Sequence, residues 1–196
     1  KTTGKDESEK LLKIINHDVE RIERLITDYS QMLKDEVIIS SEKMEKIDLN
    51  EVAKSVVDDF NSIYESKRFI SILLKTNGSE SYKILGIENR IEQIIANLLE
   101  NSISFSENNK KIFVEISKVN EGNISLVVKD EGVGFSEKDT SKIFNRFYSN
   151  RPEKFGEHSG LGLNIVKNLV ELHNGEIIAS NNINKGAKVE IIFPVA

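Results

Sequence analysis

Cysteine is absent from this chain of 196 residues. Neither a disulfide framework nor a thiolate metal site can form, and the composition suits a reducing compartment. The three histidines are too few for a structural zinc site without thiolate help. Two prolines and eleven scattered glycines leave no collagen-like, linker-like or low-complexity tract, and no internal repeat is visible. No apolar run approaches the roughly eighteen residues of a membrane span, and the first residues are charged and polar rather than basic then hydrophobic. The segment is therefore expected to be soluble and outside the membrane. The formal net charge is -5, and the charged residues, 30% of the chain, form no basic stripe. That argues against nucleic acid as a partner.

What is present reads as an appendage followed by one domain. Leu12, Ile15, Val19, Ile22, Ile26, Tyr29 and Leu33 are spaced alternately three and four apart, the heptad seam of a helix that packs on other helices. Leu11, Leu25 and Met32 widen the seam into the stripe of a bundle helix. The period is lost before residue 48, where Ser40 and Ser41 occur. The predicted organisation is a long bundle helix within 1–36, a junction at 37–48 and a domain at 49–196.

Within the domain, Val52, Val56, Val57, Phe60 and Ile63 share one helical face, with Asp48 or Asn50 as the cap. Residues 69–75 and 82–85 read as strands on either side of the turn signal Asn77-Gly78. A helix is expected over 87–105 with Ile91, Ile94, Ile95, Leu98 and Leu99 inward, while Asn97 and Asn101 lie one turn apart on another face. Strands follow at 110–119 and 123–129, a helix at 160–173 ended by Asn174-Gly175, and a final hairpin from 176–180 and 187–193. His173 falls at that helix end, where an imidazole near the last carbonyls is favourable. The stretch 131–159 is too long and polar for a simple connection and is expected to act as a mobile lid over a ligand. The sum is α/β, a two-layer sandwich of three helices on a mixed sheet of about five strands.

Four blocks in this order carry the chemistry: Asn97-Leu98-Leu99-Glu100-Asn101, Asp130-Glu131-Gly132-Val133-Gly134, Phe144-Asn145-Arg146-Phe147-Tyr148 and Gly160-Leu161-Gly162-Leu163. One carboxylate followed by two glycines suits a base-binding turn, because the backbone can approach a flat ring while the carboxylate accepts an exocyclic N–H. The second glycine pair opens a helix, whose free N–H groups suit phosphate oxygens. Two buried asparagines one turn apart are costly unless something binds their amides, and their carbonyl oxygens suit magnesium. Standing alone, Asn97 and Asn101 would be read as capping or surface amides. Beside the other blocks they describe a nucleotide pocket.

The four blocks resemble the N, G1, F and G2 boxes of sensor histidine kinases, and the likeness runs over nearly the whole chain. The helix from Leu11 to Leu33, followed by Lys46-Ile47-Asp48-Leu49, is similar to the second helix of that family's dimerisation domain and its junction with the ATP-binding domain. The resemblance implies a Bergerat-type ATP-binding fold with ATP and Mg2+ as cofactors. It implies transfer of the γ-phosphate to a histidine for relay to an aspartate on a response regulator receiver domain. It also implies a homodimer in the full-length protein, and a cytoplasmic position within an inner-membrane-anchored bacterial kinase. By the same resemblance Asn101 would hold magnesium, Asn97 would contact the phosphates or the metal, and Asp130 would accept the adenine amino group. Gly132 and Gly134 would shape the base pocket. Gly160 and Gly162 would let backbone amides meet the phosphates, with Ser159, Leu161 and Leu163 around them, while Phe144 and Phe147 would anchor the lid on the core. For the two phenylalanines plain core packing is an equal explanation. The wording of residues 146–152, 159–163 and 102–106 is further similar to the envelope-sensing kinases of alphaproteobacteria.

The chain also departs from its relatives. ATP-hydrolysing members of the wider superfamily, such as gyrase, the Hsp90 chaperones and mismatch-repair ATPases, carry a glutamate one turn before the magnesium asparagine. Here that position is Asn97, so the base for hydrolysis is missing, Glu100 points elsewhere on the helix, and phosphoryl transfer fits better. Basic residues common in sensor kinases are replaced by Ser104 and Ser149, leaving Arg151, Lys154 and His158 as candidates to meet the γ-phosphate. His17-Asp18 looks like the start of an acceptor motif, but its proline is missing, and 17–48 has room for one helix rather than a hairpin. The expectation is a fragment that binds ATP without phosphorylating itself. The rival readings are an ATPase and a nucleotide-sensing module without transfer activity.

Overall fold

The computed structural model describes residues 11–12, 15–16, 19, 22–23, 26–27, 29–30, 42–77, 81–136, 139–148 and 160–196. Every described residue between 11 and 30 is helical. Leu12, Ile15, Val19, Ile22, Ile26 and Tyr29 of the heptad seam are 40–61% exposed. His17, Leu25, Met32 and Leu33 lie outside the described residues.

The domain then runs β1 (Glu45–Asp48), α1 (Leu49–Arg68), β2 (Ser71–Thr76), β3 (Lys83–Gly86), α2 (Glu88–Phe105), β4 (Lys111–Asn120), β5 (Asn123–Asp130), a 3-10 turn (Thr140–Phe144), α3 (Gly162–Leu172), β6 (Glu176–Asn181) and β7 (Ala187–Pro194). Five strands form one sheet in the order β2-β4-β5-β7-β6. β2 and β4 are parallel, and the other neighbours antiparallel. The three helices pack on one face, giving the predicted two-layer sandwich. Ile112, Val114 and Ile116 of β4 alternate into the core, where they meet Ile91, Ile94, Ile95 and Leu98 of α2. On the open face, Glu115 pairs with both Lys75 and Lys129, and Lys188 pairs with Glu190. The Glu115 pairs join neighbouring strands, while Lys188 and Glu190 pair along β7.

Of the two expected candidates Asp48 and Asn50, Asp48 caps α1, its side chain accepting the Asn50 N–H at 3.0 Å. At the sheet edge, Asn61 of α1 accepts the Ile72 N–H and donates to the Ile72 carbonyl, both at 2.9 Å. Part of the free edge is thus occupied by a side chain instead of another strand.

Three local expectations need correction. Residues 45–48, placed in an aperiodic junction, form β1 and pair antiparallel with β3; a strand of four residues is too short to display a period. The segments flanking Asn77 do not pair with each other, since β2 joins β4 and β3 joins β1. The connection is held by the Tyr82 hydroxyl, which accepts the Asn77 N–H at 3.0 Å, while Gly78 lies outside the described residues. Phe69, expected to begin a strand, is the left-handed C-cap of α1 with φ 53°, and it is exposed.

The end of α3 is tied to the start of α2 through His173. Its Nε2 accepts the Ile87 N–H at 3.1 Å, and its Nδ1 donates to the Leu169 carbonyl at 2.6 Å. This fixes one neutral tautomer. The favourable helix end foreseen from the sequence is present, but burial holds the imidazole below its usual 6.5, so the cation is not the form the fold selects. A depressed folded pKa means that this stability is complete above pH 6.5 and is lost as pH falls below it toward the folded value. Chemical denaturation between pH 7.5 and 5 is therefore expected to show a decline that flattens in His173→Gln. An equal decline in the variant would assign the loss to other groups.

Candidate functional site

Asp130 ends the central strand β5 and is 5% exposed. Its Oδ1 accepts the Gly132 N–H at 2.8 Å and the Ala187 N–H at 3.0 Å, and Ser102 lines the same cleft. Burial pushes its pKa above the ordinary 3.8, outweighing the hydrogen bonds that lower it. The carboxylate stands in an open cleft lined by Leu98, Phe105, Gly134, Phe135, Leu163 and Val189. A slot with apolar walls and one buried acceptor suits a flat ring that carries an exocyclic N–H.

The second half of the site lies where α2 passes the start of α3. Leu161 is the N-cap of α3, and its apolar side chain cannot cap the first N–H groups of the helix. A Cβ placed on Gly162 would lie 3.6 Å from Asn101 Nδ2 and 3.8 Å from Asn97 Oδ1. The two amides therefore face the helix start across a narrow gap. Both asparagines are half-buried, not buried as expected, because they flank the apolar stripe of α2; Glu100 is exposed. Helix N–H groups opposite two carboxamides can receive a phosphate chain and, through the amide oxygens, a hard cation.

Gly160 is held at φ 70°, and a Cβ there would stand 2.7 Å from the Tyr148 carbonyl oxygen. The turn after the 3-10 segment thus crosses directly over the glycine. Phe144 is buried in the core, and its carbonyl accepts the Asn164 Nδ2–H at 2.9 Å. Phe147 does not share that anchoring role: it is 56% exposed with φ 60°, and half-buried Tyr148 packs against the core instead. The Leu161 side chain, 1% exposed, belongs to the core, whereas Leu163 reaches the cleft. Ser104 donates its hydroxyl to the Asn101 backbone carbonyl at 2.7 Å. Ser149, Arg151, Lys154, His158 and Ser159 lie outside the described residues.

Several contributors were not singled out from the sequence. Ala187 donates to Asp130, Asn182 Nδ2 donates to the Asp130 carbonyl at 3.0 Å, and Gly186 packs against that carbonyl. The run from Asn181 to Gly186 was readable as a turn, but nothing local announced which strand end it would close upon.

Residues 86–196 match the family described as histidine kinase-, DNA gyrase B-, and HSP90-like ATPase. The chain belongs to this family. Within it, the likeness is to the catalytic domains of sensor histidine kinases. Sensor protein ChvG of Agrobacterium fabrum is 34% identical, with 97% of this chain and 34% of ChvG aligned. The histidine-protein kinase ArlS of Staphylococcus aureus is 29% identical over 94% of this chain and 40% of its own length. The chain thus spans about a third of the length of ChvG. The solved catalytic domain of histidine kinase ThkA is 25% identical with a TM-score of 0.68, covering 78% of this chain and 96% of that domain. ThkA in complex with response regulator protein TrrA gives a TM-score of 0.69 at 23% identity, over 95% and 51% of the two chains. This ATPase-family domain carries, among the described residues, no group of three or more His, Asp or Glu side chains able to hold a metal. Nor is any described helix long and apolar enough to cross a membrane.

Proposed function

We propose that the chain is the catalytic region of a sensor histidine kinase that presents ATP and Mg2+ to a histidine on another segment, for relay to a response regulator aspartate. The observation that carries this reading is the meeting of Asn97 and Asn101 with the start of α3, beside a cleft with one buried carboxylate. Asp130 would take the adenine amino group, and the first N–H groups of α3 would take the phosphates. The Asn101 carbonyl oxygen would hold magnesium with Asn97 beside it, the other ligands coming from phosphate and water. That ion would neutralise charge on the transferring phosphoryl group. The residues present fit such a group, since a divalent cation held by amide and phosphate oxygens needs no carboxylate cluster.

Catalysis by this chain would consist of positioning and charge neutralisation. Asn97 has no basic site with which to accept a proton from water, which supports transfer over hydrolysis. Arg151 is the first lid cation to test, and unchanged phosphotransfer in Arg151→Ala would exclude it. The exposed heptad positions between 11 and 30 support the reading of 1–36 as a bundle helix that finds its partners in a dimer, with 37–48 as junction, 49–196 as catalytic domain and the lid at about 131–159. Glu42 of that junction pairs with Arg90 in the first turn of α2 at 3.1 Å, a direct tie between the junction and the nucleotide helix. The ThkA complex supports a receiver domain as the partner, and the ChvG likeness supports a cytoplasmic place within a membrane-anchored protein.

Incubation with γ-labelled ATP and Mg2+ tests this. Acid-labile phosphate is expected on a separately supplied acceptor hairpin, and none on the chain alone. Label on His17 that His17→Gln removes would overturn the fragment reading. Steady phosphate release without an acceptor would favour the ATPase, and binding without transfer would favour the sensing module.

A further inference from the structure

Two asparagine carboxamides each hold one peptide by both of its polar groups. At the β2 edge of the sheet, Asn61 accepts the Ile72 N–H and donates to the Ile72 carbonyl, where a neighbouring strand would otherwise pair. At the opposite edge Asn181, the last residue of β6, accepts the Phe135 N–H at 2.6 Å and donates to the Phe135 carbonyl at 2.8 Å. Phe135 belongs to no strand, so this pair of bonds does not protect an edge. Phe135 follows the second glycine of the base turn, packs on the core and lines the cleft.

The same carboxamide fills the space beside Gly134. That glycine has φ 77°, and a Cβ on it would stand 2.7 Å from Asn181 Oδ1. The base turn therefore closes directly onto Asn181 and delivers the next peptide to its amide. Two residues earlier on β6, the Ala179 carbonyl accepts the Thr140 hydroxyl at 2.7 Å. Phe135 and Thr140 are thus both tied to the edge strand. The Asn181 bonds lie at the surface, where water competes for the same groups and little stability is gained. What they do gain is orientation: with its N–H and its carbonyl both held, the backbone at Phe135 cannot turn, and the side chain stays in the cleft wall.

We propose that Asn181 is a positioning residue for nucleotide binding: its carboxamide fixes the backbone at Phe135 so that this wall of the cleft is already formed in the free protein. A wall residue ordered beforehand costs nothing to order on binding, whereas a loose one must be fixed at every binding event. The role assigned to Asn181 rests on the reading of the cleft as a nucleotide site.

The test is calorimetric titration of the full chain with a non-hydrolysable ATP analogue and Mg2+, beside melting curves and hydrogen exchange of the Phe135 amide. The proteins compared are the native chain, Asn181→Ala, Asn181→Ser, Phe135→Ala, the Asn181→Ala, Phe135→Ala double variant, and Asn61→Ala. Asn181→Ala is expected to weaken binding by about five- to thirty-fold, the cost of re-ordering one backbone residue, and to speed exchange of the Phe135 N–H in the free chain. Asn181→Ser, whose hydroxyl is too short to bridge both groups, should follow alanine and keeps the comparison if the alanine variant folds poorly. With Phe135→Ala already in place, the Asn181 substitution should cost little further affinity, because it acts through that side chain. Asn61→Ala removes the same pair of bonds from β2 and should lower Tm with affinity unchanged. A merely structural Asn181 would behave like Asn61. Native affinity in both the Ala and Ser variants, or a loss undiminished without the Phe135 ring, would overturn the proposal alone. Failure of the native chain to bind the ATP analogue at all would overturn the nucleotide reading and the role of Asn181 with it.

Discussion

Asp130→Asn is expected to weaken binding of a non-hydrolysable ATP analogue by about 100-fold, the loss of roughly 2.7 kcal/mol from a charge-assisted hydrogen bond that turns into a donor-against-donor contact. The substitution keeps the shape of the side chain. Its carbonyl oxygen can still accept the Gly132 and Ala187 N–H groups that now reach Oδ1 at 2.8 and 3.0 Å. The fold should therefore survive, and circular dichroism melting should show a change small beside the binding loss. Acid sharpens the experiment. Burial raises the Asp130 pKa above 3.8, so the native carboxylate is protonated at a higher pH than an exposed one. An N–H of the base needs the ionised form, and native affinity should fall on acidification while the residual affinity of Asp130→Asn lacks that limb. A variant that binds as tightly as the native chain would remove Asp130 from base recognition.

The second large effect is expected at a residue that does not line the cleft. Gly186 has φ 102°, and a Cβ there would stand 1.9 Å from the Asp130 carbonyl oxygen and 3.1 Å from the Glu131 Cα. Neither atom belongs to a flexible side chain, so Gly186→Ala must displace backbone. Lifting the β6–β7 turn would break the Ala187 and Asn182 bonds to Asp130 together. The expected loss is about 3 kcal/mol or more, a fall of roughly 6–12 °C in Tm for a domain of this size. Nucleotide affinity should fall with it, because the carboxylate loses one of its two backbone donors. Gly122→Ala is the control: a Cβ there meets only the Asn120 Oδ1 at 3.6 Å, and its effect should stay within about 0.5 kcal/mol. Equal melting temperatures for the two variants would show that the hairpin tolerates displacement and does not support the site.

The inward stripe of α2, the alternation in β4 and β5, a cap at Asp48 or Asn50 and the helix end at Asn174-Gly175 were legible in the sequence alone. Each follows from side-chain period or turn chemistry within a few residues. The four boxes were legible for the same reason, being short runs whose residue types already suit a base, a phosphate or a metal. Only the tertiary structure decided which strands pair, so that β3 leaves its sequence neighbour β2 for β1. It also decided that Phe144 is core while Phe147 is exposed, since both are aromatic residues in one turn and only the course of the backbone over Gly160 separates them. The closure of the β6–β7 turn on Asp130 was equally hidden, for Ala187 lies 57 residues further along the chain. Local propensity acts over one or two turns of helix or a single strand. Contacts between distant residues are fixed by how whole elements bury their apolar faces together, and that is settled only when the sheet is assembled.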